Sequence, residues 1–218
     1  MPGPTPEELT FIQLSFGNPP VNLERSRSDF KKWVLLNGFE DIHGAIRIAL
    51  ERLLVFAATK AEMTITPALD IDAFVRQLHP KVAAYHFPKL ITEINALFEK
   101  PFKFQDHIES FNAARNCLEH ANGVVTQRHC NSPESGAIII HGRRFKMFFK
   151  DGDREVVAVL GKPGPENAAL MLGAEEFQFA FAIGQSIELS LKQFVDILNT
   201  CVFIRADIEL KLKEARPD

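Results

Sequence analysis

Residues 115–123 read RNCLEHANG, and three of their side chains have types suited to acid–base chemistry on a phosphate. Arg115 offers a planar fork of donors that matches phosphate oxygens. His120, five positions later, can take or give a proton near neutrality. Asn116 lies four residues before the histidine, on the same face of a helix, where it can orient the imidazole or bind a phosphate oxygen. Together the three suit attack of a ribose 2′-hydroxyl on its adjacent phosphate, a reaction that needs no metal. Positions five apart diverge by roughly 140° on a regular helix, so Arg115 and His120 converge only through the long arginine stem, a distorted last turn or a second subunit. The same residues also read as ordinary helix furniture. Arg115 and Glu119 are four apart and form a helix salt bridge worth a few tenths of a kcal/mol, about 0.3, with His120 a polar residue in the last turn.

The motif must sit on a helix for this geometry to hold. On a wheel, Phe111, Ala114, Cys117, Leu118 and Ala121 share an apolar side, and Asn112, Arg115, Asn116, Glu119 and His120 share the polar side. Asn122 and Gly123 are suited to a left-handed C-cap. Other helices are expected on either side of it. One runs from near Asp29 through GFEDIHGAIRIALERLLVFAAT, where Phe39, Ile42, Ile46, Leu50, Leu53 and Ala57 recur at three- and four-residue steps. A short one follows Asp70 and is stopped by Pro80, and another spans 86–100. Residues 1–28 read as an irregular arm, with prolines in two clusters and a short apolar patch at 11–16. Strand formers then take over in AIII, RRFKMFFK and REVVAVL, with a tight turn at Asp151 and Gly152. From Ala174 a helical period returns and runs nearly to Ala215. Forty residues of helix measure about 60 Å, so a break near Gly184 or Thr200 is expected. The fold class is therefore mainly α: an antiparallel helical bundle, with a small β-hairpin or three-stranded sheet inserted at about 137–160, before the long C-terminal helix or helices. Residues 29–218 form a single domain.

At RNCLEHANGVV the chain resembles the HEPN superfamily, helical-bundle proteins marked by an arginine, four to six residues, and a histidine, often with a polar residue after the arginine. Arg115, Asn116 and His120 occupy those places. The resemblance implies a metal-independent endoribonuclease without cofactors. In it Arg115 binds phosphate, Asn116 assists and His120 transfers protons. It also implies a homodimer that brings two motifs to one cleft, and a setting in toxin–antitoxin, defence or RNA-processing systems, with RNA and an antitoxin or other protein as partners. Inactive members of the family serve as modules that bind a protein or a small ligand, and that alternative stands beside the nuclease. Glu119 departs from a purely cationic motif, since it can neutralise Arg115.

Bulk composition narrows the partners. The 218 residues carry a formal net charge of −3, which supplies no global field for nucleic acid, so any such contact is local. The best local candidates follow the motif: Arg128, Arg143, Arg144 and Lys146, interleaved with Phe145, Phe148 and Phe149 that could stack on bases. Strand alternation also accounts for Phe145 and Phe149, as core-facing residues of an edge strand. The 19 phenylalanines, against one tyrosine and one tryptophan, supply an aromatic core or a subunit interface. Three widely spaced cysteines read as free thiols of a reducing compartment. Cys117, His120, His129 and Cys130 lack the spacing of a zinc site, so no metal is expected. His43 and His79 receive no role. With no signal peptide and no long apolar stretch, a cytoplasmic, non-membrane protein is expected.

Overall fold

The computed structural model describes residues 22–215, apart from 133, 160 and 167. It is mainly helical, with a three-stranded antiparallel sheet ahead of a C-terminal helix. Backbone contacts divide the chain into two units, Met1–Val34 and Leu35–Asp218. Most of the expected irregular arm, residues 1–21 with the apolar patch at 11–16, lies outside the described residues.

Helix α1 spans Leu23–Ile65 and so begins earlier than the apolar periodicity predicts. The Arg25 N–H donates to Asn22 Oδ1 at 3.1 Å, which caps the first turn. Inside the first unit the Phe30 and Trp33 rings stack at 5.9 Å. The polar run before Asp29 is thus helix without a buried face. In the second unit, α1 buries Phe39, Ile46, Leu50, Leu53 and Ala57 as the periodicity predicts.

Helix α2 (Ile71–Ala83) is capped by Asp70, whose Oδ1 accepts from Ala73 N at 3.0 Å. Pro80 lies inside this helix rather than ending it. The missing N–H costs one bond of the ladder, but only in the last turn, where few bonds follow. Helix α3 (Phe87–Ala96) starts at His86, whose Nδ1 accepts from Lys89 N at 3.3 Å. It stops short of the expected residue 100. Helix α4 (Gln105–His120) carries the motif and buries Ile108, Phe111, Ala114 and Cys117. Phe39 of α1 meets Phe111 edge-on at 5.9 Å. Each such fully buried side chain contributes about 1.5–3 kcal/mol.

Strands β1 (Ala137–Asp151), β2 (Arg154–Val157) and β3 (Ala169–Ala182) form a sheet of order β2-β1-β3. AIII and RRFKMFFK are therefore one strand. Of the residues from Ala174 that carry an apparent helical period, 174–182 belong to β3 and only Leu191–Glu214 are helix. Phe177 and Phe181 are four apart and fit either period. Phe179 between them makes the true alternation, with 174, 176, 178 and 180 exposed. The sheet consequently extends to residue 182, past the expected insertion at 137–160. Helix α5 (Leu191–Glu214) follows, opened by a reciprocal cap between Ser190 and Gln193.

Helices α4 and α5 both pack on β1. Where β2 does not reach, side chains close the edge of β1. The N–H of Ile139 donates to Asn131 Oδ1 at 2.7 Å, that of His141 to Ser110 Oγ at 3.0 Å, and that of Arg143 to Thr200 Oγ1 at 2.9 Å. Gly142 has a steric reason: a Cβ there would lie 1.9 Å from Phe177 Cζ, the ring of its cross-strand partner.

Candidate functional site

The site begins with the last two turns of α4, held on both sides. The apolar face anchors the helix in the core, and the chain leaves it through Asn122 (φ 49°) and Gly123 (φ 77°), both left-handed as expected. Gly123 is pinned twice, its N–H donating to Cys117 O at 3.1 Å and its carbonyl accepting from Ile187 N at 2.9 Å. The motif end is therefore fixed against the segment that leads from β3 into α5.

On the polar face, Arg115 and Asn116 are half-buried and His120 is exposed. The Arg115 guanidinium forms an ion pair with Glu119. The same carboxylate oxygen lies 3.3 Å from His120 Nε2. Within one chain, then, arginine and histidine are linked through Glu119 rather than touching. Arg115 Nη1 also donates to Asn116 Oδ1 at 3.4 Å.

Arg115 and Asn116 line a cleft of about 520 Å³ between α1, the start of α3 and α4. Asn112 and Asn116 also line a neighbouring cleft of about 420 Å³, whose other wall holds Arg128 and His129 of the short 3₁₀ turn Gln127–His129. His120 lines neither cleft. Arg128 thus comes near the motif, and His129 is fixed by a 2.8 Å contact between its Nδ1 and Thr126 Oγ1.

The other basic candidates lie elsewhere and are paired. Arg143 meets Glu176 at 3.4 Å and lies over the Phe203 ring at 5.3 Å. Arg144 holds Glu175 at 2.7 Å and Asp196 at 3.1 Å, and hydrogen bonding to Glu175 raises its pKa. Lys146 meets Glu155 at 2.6 Å, which raises its pKa in turn. None of the three lines either cleft. Phe145 packs on Phe203 with ring centres 4.7 Å apart, while Phe149 abuts Gly164.

A residue without an assigned role lies in the cleft itself. His43 is 7% exposed, its ring centre is 4.5 Å from that of Phe87, and its Nε2 is 3.3 Å from Asn112 Oδ1. Burial pushes its pKa down, the Asn112 hydrogen bond opposes this, and the nearby Arg115 and Arg47 charges lower it further. The ring is therefore neutral at neutral pH and donates Nε2–H to Asn112. The sequence did carry a signal: 39, 43, 46 and 50 keep one helical spacing, so His43 stands on the inward stripe. Arg47 builds the wall beside it. Its guanidinium donates to the carbonyls of Ala83 at 2.9 Å and Tyr85 at 2.8 Å, and pairs with Glu51 at 2.8 Å. That clamp joins α1 to the α2–α3 junction.

The Cys201 and Cys117 thiols are poor nucleophiles. Burial pushes Cys201 up to about 11 and also raises Cys117. Among the described residues no group of three or more His, Cys, Asp or Glu side chains is gathered to hold a metal ion. Among them, too, no helix is long and apolar enough to cross a membrane. Set against known proteins, the chain matches no protein-family model, no curated protein and no solved structure.

Proposed function

We propose that the protein is a metal-independent endoribonuclease of the HEPN kind, an antiparallel helical bundle that works as a homodimer. The observation that carries this reading is the cleft itself: Arg115 and Asn116, adjacent on α4, border a concave polar space next to a neutral buried imidazole. Arg115 binds the non-bridging phosphate oxygens. His120 accepts the proton of the ribose 2′-hydroxyl as the 2′-oxygen bonds to phosphorus. The bond from phosphorus to the 5′-oxygen breaks, and that oxygen takes a proton from the second imidazole of the dimer. The products are a 2′,3′-cyclic phosphate and a free 5′-hydroxyl. Arg128 extends the phosphate track along the neighbouring cleft. Glu119 orients His120 before substrate arrives and gives up Arg115 to the phosphate.

The second reading is an inactive module that binds a protein or small ligand. The Glu119 contacts to both Arg115 and His120 favour it. Cleavage of RNA in the presence of EDTA separates the two. We expect wild-type turnover, with Arg115→Ala and His120→Ala each slower by about 100-fold. Turnover retained in both variants rejects the assigned roles, and no turnover by the wild type favours the binding module.

A further inference from the structure

A second concave region, remote in chemistry from the motif, lies between α1 and α2. It has a volume of about 680 Å³ and an apolar floor that includes Val55, Phe56, Met63, Ile71 and Val75. Phe56 is 43% exposed, and Met63 and Ile71 are each 44% exposed. The α1 wall runs from Arg52 to Thr64, a length of about 18 Å, and the α2 wall presents 71, 75 and 79 at four-residue steps. Two helices thus bound an open trough, about three turns long on the α1 side and about two on the α2 side.

Its charges have one sign. Arg52, Lys60 and His79 line the trough, and no carboxylate does. Among the described residues neither Arg52 nor Lys60 has an acidic partner, although Lys60 also borders a separate cleft that holds Glu99 and Glu214. An apolar floor of this length fits the i, i+4, i+7 side chains of a helix laid into it. Unpaired cations on the rim fit carboxylates flanking that apolar row.

We propose that this trough is the docking site for an amphipathic helix of another protein, one whose apolar row is flanked by glutamates or aspartates. An acyl chain fits less well, because the exposed floor would leave it half in water. RNA fits less well, because Val55, Met63, Ile71 and Val75 make up most of the floor and offer bases no stacking face. Methionine on the floor adapts to different anchors.

The test uses the full chain and a panel of blocked helix-forming peptides with leucines at i, i+4, i+7 and i+11. One set carries flanking glutamates and the other flanking lysines. Fluorescence anisotropy should show saturable binding of the glutamate set, with Kd on the order of 10 µM at low salt. Amide shift changes should centre on Val55, Phe56, Met63 and Val75. Phe56→Glu should weaken binding about tenfold, and so should the charge-only variant Arg52→Glu/Lys60→Glu, which keeps the floor intact. Circular dichroism checks that both variants fold. Equal binding of the two peptide sets, no saturable binding by either, or shifts centred elsewhere overturns the proposal. So does oleate binding in the trough where the glutamate peptides do not. None of these outcomes depends on RNA cleavage.

Discussion

The cations of β1 and those of the α1–α2 trough look alike in sequence and differ in the fold. Arg143, Arg144 and Lys146 form the densest basic cluster after the motif, yet each is matched by a carboxylate from β2, β3 or α5. Arg52 and Lys60 stand in no basic run, yet they remain unpaired beside apolar surface. Charge that cross-links a sheet is structural, and charge left on a rim is free to meet a partner. A count of basic residues in a window cannot tell the two apart, because the neutralising acids come from distant parts of the chain.

The comparison can be broken at its structural end first. Asp196 is 6% exposed and accepts from Arg144, which keeps Glu175 as a second partner, so Asp196→Ala should cost about 2 kcal/mol in urea unfolding, the loss of one charge-assisted hydrogen bond. A loss comparable to that of a surface pair would mean that the cluster does not cross-link the sheet to α5. Glu119→Gln tests the motif, where the carboxylate competes with phosphate for Arg115. RNA affinity should rise about three- to tenfold, read by filter binding at fixed salt, and unchanged affinity would mean that Glu119 does not restrain the arginine.

His43 gives a smaller, pH-dependent effect. Its folded pKa lies below its unfolded value near 6.5, so the unfolded chain binds the extra proton first. Its contribution to stability is complete above that value and is lost as pH falls through the folded pKa. The groups around it are Glu40 and Arg47 on α1, His86 at the start of α3, and Arg115 and Glu119 on α4. His43→Gln should flatten the acid side of the stability profile relative to wild type, and parallel profiles would contradict the burial argument. The smallest effect is at the exposed pair of Arg205 and Glu209, 80% and 51% exposed. Glu209→Gln should change stability by less than about 0.5 kcal/mol.

The helices were legible because their burial pattern is local. The wheel drawn for α4 named the buried Phe111, Ala114 and Cys117, and the left-handed exit at Asn122 and Gly123 followed from residue type. Strand β3 is ambiguous in sequence because Phe177 and Phe181 satisfy two periods at once, and the residue that decides for the strand is Phe179 between them. The start of α1 was missed because a helix without a buried face shows no apolar rhythm. At the site, Arg115 and Asn116 were readable from type and spacing. The contact of His43 with Asn112 was not, since it joins residues 69 apart in the chain. The joining of Arg144 to Asp196, 52 apart, was hidden for the same reason.

The edge of β1 has a consequence for what happens on heating. Its N–H groups at 139, 141 and 143 are closed by Asn131, Ser110 and Thr200, so no foreign strand can add there while α4 and α5 stay docked. Helices α4 and α5, with the loop at Asn131, thereby share the work of blocking intermolecular templating. An opening that undocks either helix bares part of that row of donors to strand addition.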